Sequence, residues 1–203
     1  MFDDKGCPNC LQPTIIIDPH FPKASFTGLG NVADEHWEFL TNKTWIERGD
    51  GSVRQSRHNP RAAFADTHDS KWDDMHLLYF TGYAMWNYLT APFSFTLPGF
   101  STRELEDHTE NGETWRVLEV TYPDDFPTHN KIQRFYYDEQ FMLRRLDYEP
   151  EVLFGSSASQ YMFDYKISGG LTFPTLRRVV PRAASRVFGP RLVLIDLCEI
   201  IVE

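Results

Sequence analysis

Ser70–Phe93, SKWDDMHLLYFTGYAMWNYLTAPF, is the stretch whose reading decides the fold. Trp72, Met75, His76, Tyr79, Tyr83 and Trp86 follow one another at three- and four-residue steps, as one face of an α-helix requires. Leu77, Phe80, Ala84 and Tyr88 form a second apolar face. A helix with so little polar surface must be covered on most of its sides. Asp69 or Ser70 is the expected N-cap, and Asp73 and Asp74 suit the positive end of the helix dipole. Pro92 ends the helix, and Ala91 before it is biased away from helical backbone. The spacing therefore predicts one long buried helix over about residues 70–90. Gly82 costs such a helix about 1 kcal/mol relative to alanine, and the expected compensation is close packing against another backbone.

The flanking sequence reads as strands. Thr44–Arg48 (TWIER) and Ser52–Arg57 (SVRQSR) alternate around Gly49-Asp50-Gly51, a hairpin signal. Arg61–Asp66 reads as a further short strand. After Pro92, STRELEDHTE and ETWRVLEVTY flank Asn111-Gly112, the strongest short-range hairpin signal. His129–Asp138 and Phe141–Glu149 flank a polar turn, Ala158–Ser168 and Leu171–Val180 flank Gly169-Gly170, and Arg191–Val202 reads as a terminal apolar strand. The fold class is therefore α+β, mainly antiparallel β. A strongly curved sheet or open barrel is expected to wrap around the single helix, because a large sheet curls and its hollow needs filling.

The order and kind of elements over about residues 44–202, with the hairpin Gly169–Thr175 (GGLTFPT) leading into a basic-apolar strand, resembles the fold of bacterial lipoprotein carriers of the LolA/LolB type. It also resembles the helix-grip plan of START-like proteins. The resemblance implies a fold and carries no residue roles. The chain departs from the carriers at its start, where MFDDKGCPNC shows no secretory signal and no lipobox.

At 203 residues the chain fits a single domain, residues 1–203, with an irregular N-terminal segment over residues 1–36 that holds at most a short apolar strand at Thr14–Ile17. A net charge of −9 opposes nucleic-acid binding, which needs a basic surface. No apolar run is long enough to cross a membrane, and the expected compartment is cytoplasmic. Three cysteines make no disulfide framework, and Cys7-Pro8-Asn9-Cys10 reads as a loose terminal segment. His58, Asp66, His68, Asp69, Asp73, Asp74 and His76 lie close together, but they lack the HExxH pattern and suit a helix start. No metal and no cofactor are expected, since Walker, GxGxxG and GxSxG motifs are absent. A homodimer is compatible with the sequence.

His76, Tyr79, Tyr83 and Trp86 lie along one helix edge, where they can pack as core or share a polar site. Along the strand from Thr128, His129, Lys131, Gln133 and Phe135 point one way, either into the hollow or to solvent. In Leu143–Tyr148, Arg145 and Asp147 share one face and Arg144 and Tyr148 the other; an ordinary surface ion pair competes with an inward, functional Asp147. Of Arg177 and Arg178, which point to opposite faces, one at most enters the hollow, and Arg178 is the candidate.

These residues suggest a cofactor-independent isomerase, cyclase or lyase acting by proton transfer on a hydrophobic small molecule. His76 and His129 would serve as acid or base and Tyr83 as a hydroxyl donor, with Tyr79, Trp86, Gln133, Asp147, Tyr148 and Arg178 binding substrate. The alternative is a non-catalytic carrier of a lipid-like ligand using the same hollow. A third reading is a structural domain whose hollow the helix fills.

Overall fold

The computed structural model describes residues 4–8, 10–30, 32, 34–183, 186–187 and 192–203. Its contacts gather into two compact units. The first runs to Thr96 and includes Asp125–Thr128; the second comprises Leu97–Asp124 and the chain from His129 onward.

The first unit holds a five-stranded antiparallel meander: β1 (Thr14–Asp18), β2 (Lys23–Thr27), β3 (Glu35–Leu40), β4 (Lys43–Arg48) and β5 (Val53–His58), paired in chain order. Two of these strands lie inside the segment expected to be irregular: β1 matches the short strand expected at Thr14–Ile17, whereas β2 was not expected. Prolines and glycines hide β2 in the sequence, yet it alternates correctly, with Ala24 and Phe26 buried. The same period places Trp37 and Phe39 of β3, and Thr44 and Ile46 of β4, on the buried face. The β4–β5 hairpin forms as expected, with Gly51 at positive φ and the Asp50 carboxylate accepting from the Ser52 amide at 2.9 Å. Arg61–Asp66 is no strand: Pro60–Phe64 is a 3-10 turn, started by Pro60 after a left-handed Asn59.

The long helix, α1, spans Asp74–Thr90 and packs on β2, β3, β4 and β5. Only Asp74, Thr81 and Leu89 keep even partial exposure, so the all-round apolar reading holds. It begins later than expected. Asp73 caps it, with its carboxylate accepting from the His76 amide at 3.0 Å while the His76 ring accepts the Asp73 amide at 3.2 Å. The preceding residues are held in a turn by Lys5, whose ammonium donates to the Thr67 and His68 carbonyls at 2.5 and 2.7 Å. The terminus expected to be loose is therefore anchored, and Cys7 is buried. Two arginines of β5 grip the helix start: Arg54 contacts Asp74 at 2.7 Å and Arg57 contacts Asp73 at 2.5 Å. Burial works against ionisation of Asp73. Arg57 and the His76 amide outweigh it and hold the carboxyl below the usual range.

A cap and an ion pair that share one carboxylate give a first prediction. Asp73→Ala is expected to cost about 1–2 kcal/mol in urea unfolding at neutral pH. Because the folded-state pKa is depressed, that contribution is present above the ordinary carboxylate range and is lost as pH falls through the folded value. The gap between wild type and Asp73→Ala should close in acid; a gap independent of pH would contradict the assignment.

Gly82 is compensated by a side chain and not by a backbone. A Cβ built there would stand 2.4 Å from Cγ of Phe39, which is itself fully buried.

The second unit is an eight-stranded antiparallel sheet. It contains β6 (Ser101–Glu110), β7 (Glu113–Thr121), β8 (Ile132–Tyr137), β9 (Leu143–Tyr148), β10 (Ala158–Ser168), β11 (Leu171–Ala183), β12 (Arg186–Val187) and β13 (Val193–Asp196). The order is β12-β11-β10-β9-β8-β7-β6, with β13 also on β11. Asn111 and Gly112 both take positive φ in the expected tight turn, as do Gly169 and Gly170. The expected terminal strand shrinks to Val193–Asp196; its first residue, Arg191, lies outside the described residues. The chain is thus α+β and mainly antiparallel, with one long buried helix and its strands shared between two sheets.

Candidate functional site

The helix edge is engaged in structure. Nε2 of His76 faces the Ala63 carbonyl at 3.0 Å; a carbonyl can only accept, so that nitrogen carries the proton. Nδ1 serves the capping box. Phe64 meets the imidazole edge-on at 4.8 Å between centroids, and Trp72 lies stacked at 6.5 Å. Tyr79 packs against Phe39 and Tyr83 at 5.8 and 5.3 Å, and Tyr83 against Phe80 at 5.5 Å. Trp86 is fully buried and donates to the Asp18 carbonyl at the end of β1 at 2.7 Å. Aromatic rings thus occupy the space beside this histidine.

The remaining candidates belong to the second unit, where the sheet separates them by face. On β8, Gln133 and Phe135 are buried while Ile132 and Arg134 are exposed, so the His129–Gln133 side points inward. Lys131 precedes the strand and is exposed, so it does not disturb that pattern. His129 stacks flat on Tyr148 at 4.1 Å, and Gln133 donates to the Asn130 carbonyl at 3.1 Å. Asp147 lies on the other face. The structure also reverses the arginine choice: Arg177 is 1% exposed, whereas Arg178 is exposed and lies over Phe163 at 5.4 Å.

Asp147 is the hub of a buried network, where the sequence left a surface pair and an inward, functional carboxylate both open. Arg145 contacts it through two nitrogens, at 2.7 and 2.8 Å, and reaches Glu110 at 2.6 Å. The Tyr136 and Ser159 hydroxyls donate to the same carboxylate at 2.9 and 2.6 Å, and Tyr161 donates to Glu110 at 2.8 Å. The guanidinium lies over Tyr136 at 4.8 Å and over Tyr161 at 5.6 Å. Burial opposes the charge of Arg145, but Asp147 more than offsets it and raises the pKa. Burial first, then Asp147, pushes the Tyr136 phenol up to about 12. Four donors already fill Asp147, so it has no capacity left to act as a base.

One feature of the buried face had no sequence signal. Gln160 of β10 and Arg177 of β11 sit diagonally across the register, since Gln160 opposes Val179 and Met162 opposes Arg177. The arginine donates to the amide oxygen at 3.2 Å. Their register neighbours Leu146, Met162 and Val179 are all buried. Elsewhere, an open groove of about 390 Å³ on the β1–β2 hairpin is lined by Ile16, Ile17, Asp18, Pro19, His20, Lys23 and Ser25. It contains none of the expected site residues, and its Asp18 carboxylate accepts from the His20 and Phe21 amides at 2.8 and 3.2 Å. Burial, with the Asp74 carboxylate second, pushes the Cys7 thiol up to about 11, so it stays protonated at neutral pH.

Among known proteins, no family model and no curated protein matches the chain. Solved structures do. An outer membrane lipoprotein-sorting protein domain from Vibrio parahaemolyticus superposes with a TM-score of 0.50 at 14% identity, over 83% of this chain and 70% of that one. A LolA superfamily protein from Nitrosomonas europaea gives 0.47 at 12% identity, over 88% and 72%. The fold-level likeness to LolA-type proteins expected from the sequence is borne out. The expected proton-transfer isomerase, cyclase or lyase is corrected: the fold matches that of an outer membrane lipoprotein-sorting domain. The His76 ring serves a helix cap and faces the Ala63 carbonyl, and Asp147 accepts from Arg145, Tyr136 and Ser159. No helix among the described residues is long and apolar enough to cross a membrane.

Proposed function

We propose that this protein is a non-catalytic carrier that binds the apolar part of a lipid-like ligand against the buried face of the eight-stranded sheet. The observation that carries the reading is the make-up of that face. Phe135, Leu146, Met162 and Val179 supply buried apolar surface there, and the buried polar groups Gln133, Gln160 and Arg177 share the face. An acyl tail needs an apolar lining with few polar groups, whereas an enzyme needs at least two reactive groups converging on one substrate atom. The likeness to a lipoprotein-sorting domain supports the same reading. The cytoplasmic setting remains part of the proposal, supported by three unpaired thiols.

Titration with the neutral fluorophore N-phenyl-1-naphthylamine tests it. The expected result is a saturable rise in emission that oleate reverses at a stoichiometry near one per chain. Absence of saturable binding, or dye that oleate does not displace, would remove the proposal.

A further inference from the structure

The Gln160 amide is in an unusual state. Its side chain is completely buried, and its oxygen is fixed toward Arg177 by the 3.2 Å hydrogen bond. That bond also settles which way round the amide lies, since a guanidinium can only donate. The Nε2 group therefore points away, and it has no hydrogen-bond partner among the described residues. A buried donor left unmatched costs about 1–3 kcal/mol, which an isosteric apolar residue would avoid.

We infer that Gln160 and Arg177 form a head-group site for the anionic oxygens of an acyl ligand, a carboxylate or a phosphate at the end of the chain. The pair presents N–H donors from an amide and a cation. Its complement is a group that only accepts and carries negative charge; an amine would be repelled. The register neighbours Leu146, Met162 and Val179 are buried hydrocarbon, so they suit the first carbons of the tail and keep water from competing for the head group. The register supports the geometry: β10 and β11 are the two longest strands of the sheet, and residues 160 and 177 are set by pairs well inside their ladder. This inference rests on the carrier reading and adds the chemistry of the ligand's polar end.

The test compares oleate, 1-oleoyl lysophosphatidate and methyl oleate as competitors of N-phenyl-1-naphthylamine on the full chain. Charge-assisted hydrogen bonds at a dry site predict that at least one anionic lipid binds about tenfold or more tightly than the neutral ester. Oleate alone identifies a carboxylate, lysophosphatidate alone a phosphate, and both a shared anion site. Gln160→Glu is nearly isosteric and places a carboxylate permanently on Arg177. It should bring the anionic lipid down to the level of methyl oleate. Equal binding of all three lipids to the wild-type protein overturns the inference while leaving the carrier standing. So does Gln160→Glu protein that binds the anion as the wild type does. Failure of all three lipids to bind overturns the carrier reading and the inference with it. The wild-type comparison needs no variant, so a Gln160→Glu chain that failed to fold would leave the test intact.

Discussion

Arg145→Ala is expected to destabilise the protein by about 3–5 kcal/mol, the usual cost of removing one partner from a buried ion pair. The side chains of Arg145 and Asp147 are 7% and 6% exposed, so the carboxylate left behind cannot recover its hydration. Tyr136 and Ser159 would still donate to it, and the Arg182 guanidinium, 3.6 Å away and 20% exposed, would offset its charge only in part. Glu110 would suffer less, being 21% exposed and still bonded to Tyr161. The loss should be visible as a lowered midpoint in urea with little change in slope. Replacing both partners with apolar residues of similar size, Arg145→Met with Asp147→Leu, should recover a large part of it, because no buried charge is then stranded. A single variant that costs less than about 1 kcal/mol, the range of an exposed pair, would show that the network is solvated.

The second large effect lies where α1 meets β3. Phe39→Ala removes a fully buried ring that packs on Tyr79, and about 3–5 kcal/mol is expected from lost transfer energy plus the cavity. Gly82→Ala probes the same contact from the helix side. Alanine would favour the helix by about 1 kcal/mol, but the new Cβ would stand 2.4–2.7 Å from three Phe39 atoms. Those include the ring's own Cβ and Cγ, which no side-chain rotation moves far. Overpacking at about 1–3 kcal/mol should therefore win, and Gly82→Ala should destabilise the wild-type protein. With Phe39→Ala present, the two ring contacts are gone and only the 2.7 Å contact to the Cβ at position 39 remains, so the same substitution should cost less than in the wild type. This reduced cost in a double-mutant cycle, read from urea midpoints, checks the packing directly. Additive effects would contradict it.

Local sequence was a good guide to elements and a poor guide to faces. The helix was legible because Met75–Tyr88 carries apolar or aromatic residues at nearly every step, which only a covered helix tolerates. The Asn111-Gly112 and Gly169-Gly170 turns were legible because positive φ requires such residues. The β1–β3 meander was largely hidden: Pro19, Pro22, Gly28 and Gly30 crowd strands of five or six residues, and EHWEFL is too short to announce its period. The helix start was misplaced because histidine is not the usual third residue of a capping box. The site was harder still. Adjacent Arg177 and Arg178 look alike in sequence, and only the β10–β11 register decides that the first is buried. Asp147 was correctly placed beside Arg145, but the carboxylate and hydroxyls that turn a pair into a network come from β6, β8 and β10. Gln160 offered no signal at all, since one amide within ASQYMF is unremarkable until its neighbours across the ladder are known.

Native mass spectrometry of the protein, freshly purified and again after delipidation and incubation with oleate, tests the carrier account most directly. The account predicts a folded ion heavier than the polypeptide by one lipid, lost on organic extraction and restored by oleate. A bare polypeptide mass in both samples, from protein that unfolds cooperatively and is therefore intact, would contradict it.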